Sequence, residues 1–269
     1  MNAPNFFLAG AAKSGTTSLY RALRQHDDVF LPDLKEPHVY AYLADRSTAG
    51  HLYTDAADAR RRYAKLYAEV AGQTAMGDAS TTNLVVPGAA AAIAADVPSA
   101  RVVVILRHPV DRAFSHHSHF VAAGGEEIAD FGRAVREEAP RQRAGFPFTY
   151  QYLAWGRYSG QLRPFLELFG PDRVLVHLYD DLCTDPEAVV RSTCRFLGVA
   201  ADGALPPVGR YNRVEDMSPR RRGLRRVLGG AKPVRPTLDP DVRAELTATF
   251  REEILNLEAL LGRDLSAWR

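Results

Sequence analysis

The stretch Gly10-Ala11-Ala12-Lys13-Ser14-Gly15-Thr16-Thr17-Ser18 joins an apolar run, Asn5 to Gly10, to a segment, Thr16 to His26, in which Leu19 and Leu23 stand one helical turn apart. A buried strand, a glycine turn and a helix are predicted in that order. At such a corner the first N–H groups of the helix have no intrahelical partners, and the helix dipole favours an anion in front of them. Lys13 adds a full positive charge, and the hydroxyls of Ser14, Thr16, Thr17 and Ser18 add donors. Residues 13–18 therefore read as a cradle for phosphate or sulfate. The plainer alternative is a strand-to-helix turn with Ser or Thr caps.

Outward from this corner the chain alternates short apolar runs with longer helical patterns. Asp55 to Val70 and Pro87 to Asp96 read as helices, and Arg101 to Leu106 (Arg-Val-Val-Val-Ile-Leu) as a fully buried strand. Helices are expected over Pro109 to Ala122 and Tyr150 to Phe169, a further strand over Arg173 to Tyr179, and a helix from Asp185-Pro186-Glu187. Strands separated by helices predict an α/β fold with a central, mainly parallel sheet flanked by helices. Residues 203–238 are rich in Gly, Pro and Arg, and a C-terminal helix is expected from about Pro240 to Leu261. One domain over 1–269 is the expectation for a chain of this size.

Charge narrows the partners. Thirty-four Lys and Arg against 32 Asp and Glu leave a net charge of +2, so anion recognition has to come from local clusters and not from a global field. The two cysteines, Cys183 and Cys194, sit in one helical region with neither zinc-ligand spacing nor a disulfide framework around them. Lys13 interrupts the N-terminal apolar run before it reaches signal-peptide length, and no other run approaches the roughly 20 residues of a membrane span. A soluble, cytoplasmic protein is expected.

The cradle is not a nucleoside-triphosphatase P-loop in its usual form. That motif reads G-x-x-x-x-G-K-[ST], whereas here Ala12 precedes Lys13 and Gly10 lies three positions before the lysine. The segment instead resembles the 5′-phosphosulfate-binding loop of sulfotransferases that use 3′-phosphoadenosine 5′-phosphosulfate (PAPS), in which a Lys-Ser/Gly-Gly-Thr-Thr run begins the first helix. A second element, Arg101 through His119, strengthens the resemblance: family members carry an arginine at the end of a central strand and a serine in the next helix, both on the 3′-phosphate. Arg107 and Ser115 match those positions. A strand ending in Arg107 puts an always-charged planar fork at the carboxyl edge of the sheet, where open α/β folds bind ligands. The plain alternatives are an Arg107–Asp111 ion pair and a helix-surface Ser115. Tyr179-Asp180-Asp181-Leu182 and Arg195-Phe196-Leu197-Gly198 resemble further landmarks of the family, whose role is mainly structural. The resemblance implies a P-loop NTPase-like sulfotransferase fold with PAPS as co-substrate bound by Lys13, Ser14, Gly15, Thr16, Thr17, Ser18, Arg107 and Ser115.

Lys35-Glu36-Pro37-His38-Val39-Tyr40 resembles a segment of the branch that includes the heparan sulfate enzymes, where the glutamate takes the acceptor's proton. Glu36 is the candidate base; a solvated glutamate before a proline is the bland reading. A carboxylate suffices, because it needs only to accept the proton as the O–S bond forms. His119, one helical turn after Ser115, resembles a histidine of glycan N-sulfotransferases and is the second candidate, with His38 and Asp78 behind it. No metal is expected: adjacent histidines diverge on a helix, and no carboxylate or cysteine set completes the His116-His117-Ser118-His119 run. One departure limits the transfer. Where glycan sulfotransferases often carry Glu-Lys-Thr/Ser-Pro, this chain reads Gly77-Asp78-Ala79-Ser80-Thr81-Thr82, so the lysine is absent.

Ser218 to Arg226 holds five arginines. A basic loop in this region of the family folds over the 3′-phosphate, which makes Arg220 and Arg222 candidate lid residues within 203–238; a solvated positive face is the alternative. No aromatic interleaving supports stacking on nucleic acid. The expected activity is sulfuryl transfer from PAPS to a hydroxyl or amine of a small-molecule, lipid or carbohydrate acceptor, with Lys13 stabilising charge on the leaving oxygen and adenosine 3′,5′-bisphosphate as product. A kinase or NTPase on the 10–18 loop, and a catalytically silent nucleotide-binding module, are the rival functions.

Overall fold

A computed structural model describes residues 2–202, 209 and 236–269 of the chain. In chain order the elements are β1 (Phe6–Gly10), α1 (Thr16–Leu23), β2 (Val29–Phe30), α2 (Val39–Ala44), α3 (Ala56–Lys65), β3 (Ala75–Asp78), α4 (Thr82–Val85), α5 (Ala89–Asp96), β4 (Arg101–Leu106), α6 (Pro109–Ala123), α7 (Phe131–Arg136), α8 (Glu138–Arg143), α9 (Tyr158–Phe169), β5 (Val174–Leu178), α10 (Tyr179–Thr184), α11 (Pro186–Leu197) and α12 (Pro240–Leu261). They fall into two compact units, one of Met1–Arg107 with Tyr158–Gly209, the other of His108–Arg157 with Arg210–Arg269.

The first unit carries the sheet. Five strands run in the order β2-β3-β1-β4-β5, and every pairing is parallel. β1 and residues 102–106 of β4 are buried throughout, as expected of strands covered on both faces. Phe6, Leu8, Val103 and Ile105 pack with Leu19 and Leu23 of α1 and with Val190, Cys194 and Leu197 of α11. Each fully buried Leu, Val or Phe contributes about 2 kcal/mol from apolar area removed from water. Because the strands are parallel, all five carboxyl ends lie on one edge, so the loops leaving Gly10, Phe30, Asp78, Leu106 and Leu178 emerge together.

In the second unit, α6 starts at Pro109 behind His108, whose Nδ1 accepts from the Val110 N–H at 3.3 Å. The Glu126 carboxylate anchors the next loop: Arg141 donates to both of its oxygens at 2.6 and 2.9 Å, Tyr152 Oη donates at 2.7 Å and the Ile128 N–H at 2.8 Å. Burial pushes its carboxyl up, but the Arg141 guanidinium and these donors outweigh burial and hold it down at about 2.

Three helical expectations change. The single helix over Tyr150 to Phe169 is instead two 3₁₀ turns, Phe148–Tyr150 and Ala154–Gly156, followed by α9. The Glu138 carboxylate draws off the Leu153 and Ala154 N–H groups at 2.6 and 2.9 Å, and a Cβ at Gly156 would come within 3.1 Å of the Phe250 ring. The helix from Asp55 ends at Lys65, with Asp55 accepting from the Asp58 N–H at its start. Cys183 and Cys194 sit on successive helices, because Asp185 caps a new one by accepting from the Ala188 N–H at 2.9 Å and Pro186 begins it.

Candidate functional site

At the exit of β1, the Ala11 N–H continues the pairing to Ile105 C=O at 2.8 Å, and the chain then turns sharply into α1. Lys13 (φ 66) and Gly15 (φ 89) both take left-handed backbone. For Lys13 that conformation costs on the order of 1 kcal/mol. At Gly15 a side chain has no room: a Cβ would lie 2.5 Å from a Leu182 methyl and 3.2 Å from the Tyr179 ring. Ser14 is fully buried with a hydroxyl that has no hydrogen-bond partner, Thr16 and Ser18 are buried, and Lys13, Gly15 and Thr17 are partly accessible. An unused buried donor, a strained loop and a helix N-terminus together fit a bound anion.

Arg107 leaves β4 beside this loop. Its Nη1 donates to the Lys13 carbonyl at 3.2 Å, its guanidinium lies 4.7 Å from the centre of the Tyr179 ring, and its own carbonyl accepts from Tyr158 Oη at 2.8 Å. The two corners singled out in the sequence, 13–18 and 107, are thus in contact on adjacent strands. The acid weighed as a partner of Arg107, Asp111, carries the Arg243 guanidinium within the second unit.

The Glu36 carboxylate, about one-quarter exposed, is held from two sides. Lys35 Nζ lies 2.5 Å from Oε1, the Thr81 N–H donates to Oε2 at 2.7 Å, and the Thr81 hydroxyl lies 3.2 Å from both oxygens. His38 Nδ1 lies 2.8 Å from Thr82 Oγ1 and 3.8 Å from Glu36 Oε2. Burial lowers the His38 pKa below its usual value, with the Glu36 charge opposing. Beneath them Asp78, at the tip of β3, is 1% exposed and accepts from Tyr63 Oη at 2.7 Å and the Ser80 N–H at 2.8 Å. Burial pushes its carboxyl up to about 6, with the Glu36 charge adding to the rise.

Ser115 and His119 lie one turn apart on α6 of the second unit, both partly accessible. Their neighbours in sequence have structural duties: His116 packs on Tyr152 and Trp155, and His117 Nε2 lies 2.8 Å from the Ile128 carbonyl. Among the described residues no group of three or more His, Cys, Asp or Glu is placed to hold a metal, and no helix is long and apolar enough to cross a membrane. Arg220 and Arg222 lie outside the described residues.

Sequence reasoning missed Thr81 and Ser80 as partners of the Glu36 segment, and Tyr179 as the platform under Arg107. The hydroxyl run Ser80-Thr81-Thr82 was the available signal, but β3 (Ala75-Met76-Gly77-Asp78) has no β-branched residue and did not read as a strand leading into it.

A protein-family profile described as "Sulfotransferase family" matches residues 4–203. Over its whole length the chain is similar to a sulfotransferase of Alicyclobacillus acidocaldarius, at 34% identity, a TM-score of 0.84 and full coverage of both chains. The sulfotransferase domain from the curacin biosynthetic pathway shares the fold at 16% identity and a TM-score of 0.53, covering 98% of this chain and 99% of that one. The human bifunctional heparan sulfate N-deacetylase/N-sulfotransferase 2 is 26% identical over 274 residues, covering 97% of this chain; the chain spans about 30% of the length of the curated relatives first matched.

Proposed function

The chain belongs to the sulfotransferase family, and we propose that it transfers the sulfuryl group of PAPS to a hydroxyl or amine of a small-molecule, lipid or carbohydrate acceptor. The observation that carries this reading is the contact between Arg107 and the Lys13 carbonyl, which joins two cationic corners at the carboxyl edge of neighbouring strands. One adenosine carrier with phosphate groups at both ends fits such a pair: its phosphosulfate on residues 13–18 and its 3′-phosphate on Arg107. The contributions of Ser115, of Arg220 and Arg222, and of His119 as an alternative base rest on the family resemblance alone.

In the proposed reaction Glu36 accepts the acceptor's proton as the acceptor oxygen or nitrogen bonds to sulfur. The bond from sulfur to the 5′-phosphate oxygen breaks, and the electron pair stays on that oxygen. Lys13 and the N-terminus of α1 stabilise the charge developing there, which leaves adenosine 3′,5′-bisphosphate. The relatives named for N-sulfation of heparan sulfate support an amine-bearing carbohydrate among the acceptor classes.

A thermal-shift comparison tests the nucleotide. Adenosine 3′,5′-bisphosphate is expected to raise the melting temperature at concentrations where ATP with magnesium does not. Stabilisation by ATP alone would replace this reading with that of a kinase or NTPase.

A further inference from the structure

We propose that Asp78 is a positioning residue for Glu36, holding from beneath the sheet edge the 79–82 turn that grips the Glu36 carboxylate. The inference rests on the reading of Glu36 as the base. Glu36 (φ 64) and His38 (φ 58) both adopt left-handed backbone, a conformation that non-glycine residues keep only where their surroundings over-determine it. Those surroundings are the turn after β3. Ser80 Oγ accepts from the His38 N–H at 3.0 Å, Thr82 Oγ1 lies 2.8 Å from His38 Nδ1, and the Thr81 N–H donates to Glu36. Two further bonds hold the 36–38 backbone: Tyr53 Oη donates to the Pro37 carbonyl at 2.5 Å, and the Tyr42 N–H donates to the His38 carbonyl at 2.9 Å in the first turn of α2.

The turn is fastened by Asp78. Ser80 is fully buried, and its N–H has the Asp78 Oδ1 as acceptor; without it, a buried donor would be left unpaired and the turn would shift to find another. The second oxygen is occupied by Tyr63 Oη, itself packed edge-on against Tyr40 and Tyr67 in the core. With both oxygens engaged and 1% exposure, Asp78 has no path to an acceptor and does not act as the base itself. Its influence runs through Ser80 and Thr81 to the two Glu36 oxygens, where a displacement of an ångström is enough to misalign proton transfer.

The test compares Asp78→Ala and Asp78→Asn with the unmodified chain, using labelled PAPS and a panel of glucosamine, simple sugars and phenols, with adenosine 3′,5′-bisphosphate affinity measured separately. Asp78→Ala is expected to lower kcat by at least about tenfold while nucleotide affinity stays within about twofold, and to speed amide exchange at Ser80 and Thr81. Asparagine still offers Ser80 a carbonyl, so Asp78→Asn is expected to recover most of the rate. Full turnover by Asp78→Ala overturns the proposal, as does an Asp78→Asn as slow as Asp78→Ala. If Asp78→Ala does not fold, Tyr63→Phe takes its place: a severalfold fall in kcat at unchanged nucleotide affinity is expected, and an unchanged kcat overturns the idea. Glu36→Gln separates the two readings. Should Glu36→Gln keep full rate, Glu36 is not the base; should it be inactive while Asp78→Ala is active, only the positioning role fails. Combined in one chain, Asp78→Ala and Glu36→Gln are expected to be no slower than Glu36→Gln alone.

Discussion

Arg107 and Tyr179 are neighbours because Leu106 and Leu178, the residues before them, pair across β4 and β5; the guanidinium consequently lies 4.7 Å from the ring centre. The stack holds a mobile side chain in place before any anion arrives, and such contacts are worth about 0.5–2 kcal/mol. Tyr179→Leu is expected to weaken adenosine 3′,5′-bisphosphate binding by about threefold to tenfold, and Tyr179→Phe to leave it near normal. A Phe variant as weak as the Leu variant would shift the role from the ring to the hydroxyl. Arg107→Ala is expected to lose at least about tenfold in the same titration with little change for adenosine 5′-phosphate; equal losses for both nucleotides would contradict the 3′-phosphate assignment.

Lys13 is the charged residue of the stretch from Gly10 to Tyr20 that leads into α1. Lys13→Ala is expected to cut turnover by at least about a hundredfold, the effect of removing one preorganised donor. Its backbone carbonyl remains for Arg107, so nucleotide binding should fall much less than rate. Near-normal turnover in a PAPS assay would remove Lys13 from catalysis.

Glutamine at position 36 keeps a carbonyl for the Thr81 N–H but has no basic oxygen. Glu36→Gln is expected to bind adenosine 3′,5′-bisphosphate normally and to slow transfer by about 10²-fold or more. If the rate holds, His119→Ala becomes the informative variant, since His119 is then the leading candidate base.

Asp78 gives stability a pH signature. Its folded carboxyl titrates at about 6 against an ordinary 3.8, so between those values the unfolded chain has released a proton that the folded chain still holds. Stability contributed by the protonated form is complete below 3.8 and is lost as pH rises through 6, amounting to about 3 kcal/mol at about 1.4 kcal/mol per unit. Melting curves from pH 4 to 7 are expected to show this decline in the unmodified chain relative to Asp78→Asn. Parallel curves for the two proteins would place the Asp78 carboxyl at an ordinary value.

Much of this was legible in one dimension. The Val-Val-Val-Ile-Leu run of β4 and the Phe-Phe-Leu-Ala run of β1 announce strands buried on both faces, since no exposed strand tolerates such continuous apolarity. Lys13 through Ser18 read as a candidate anion cradle from local chemistry alone, and Arg107 stood out as a charge ending an apolar strand. β2, two residues long, and β3, with glycine and aspartate in its four, were silent because neighbouring strands and not their own propensities make them strands.

From the sequence by itself came the alternation of strand and helix and the nomination of Lys13, Glu36 and Arg107 as candidate site residues, because each reading uses residues near one another in the chain. Tertiary structure alone decided that Thr81 grips Glu36 across 45 positions, that Asp78 is buried to the point of titrating near 6, and that Tyr179 lies under Arg107. Parallel strand pairing brings those distant loops to a single edge, and neither pairing register nor burial is encoded in any local stretch of residues.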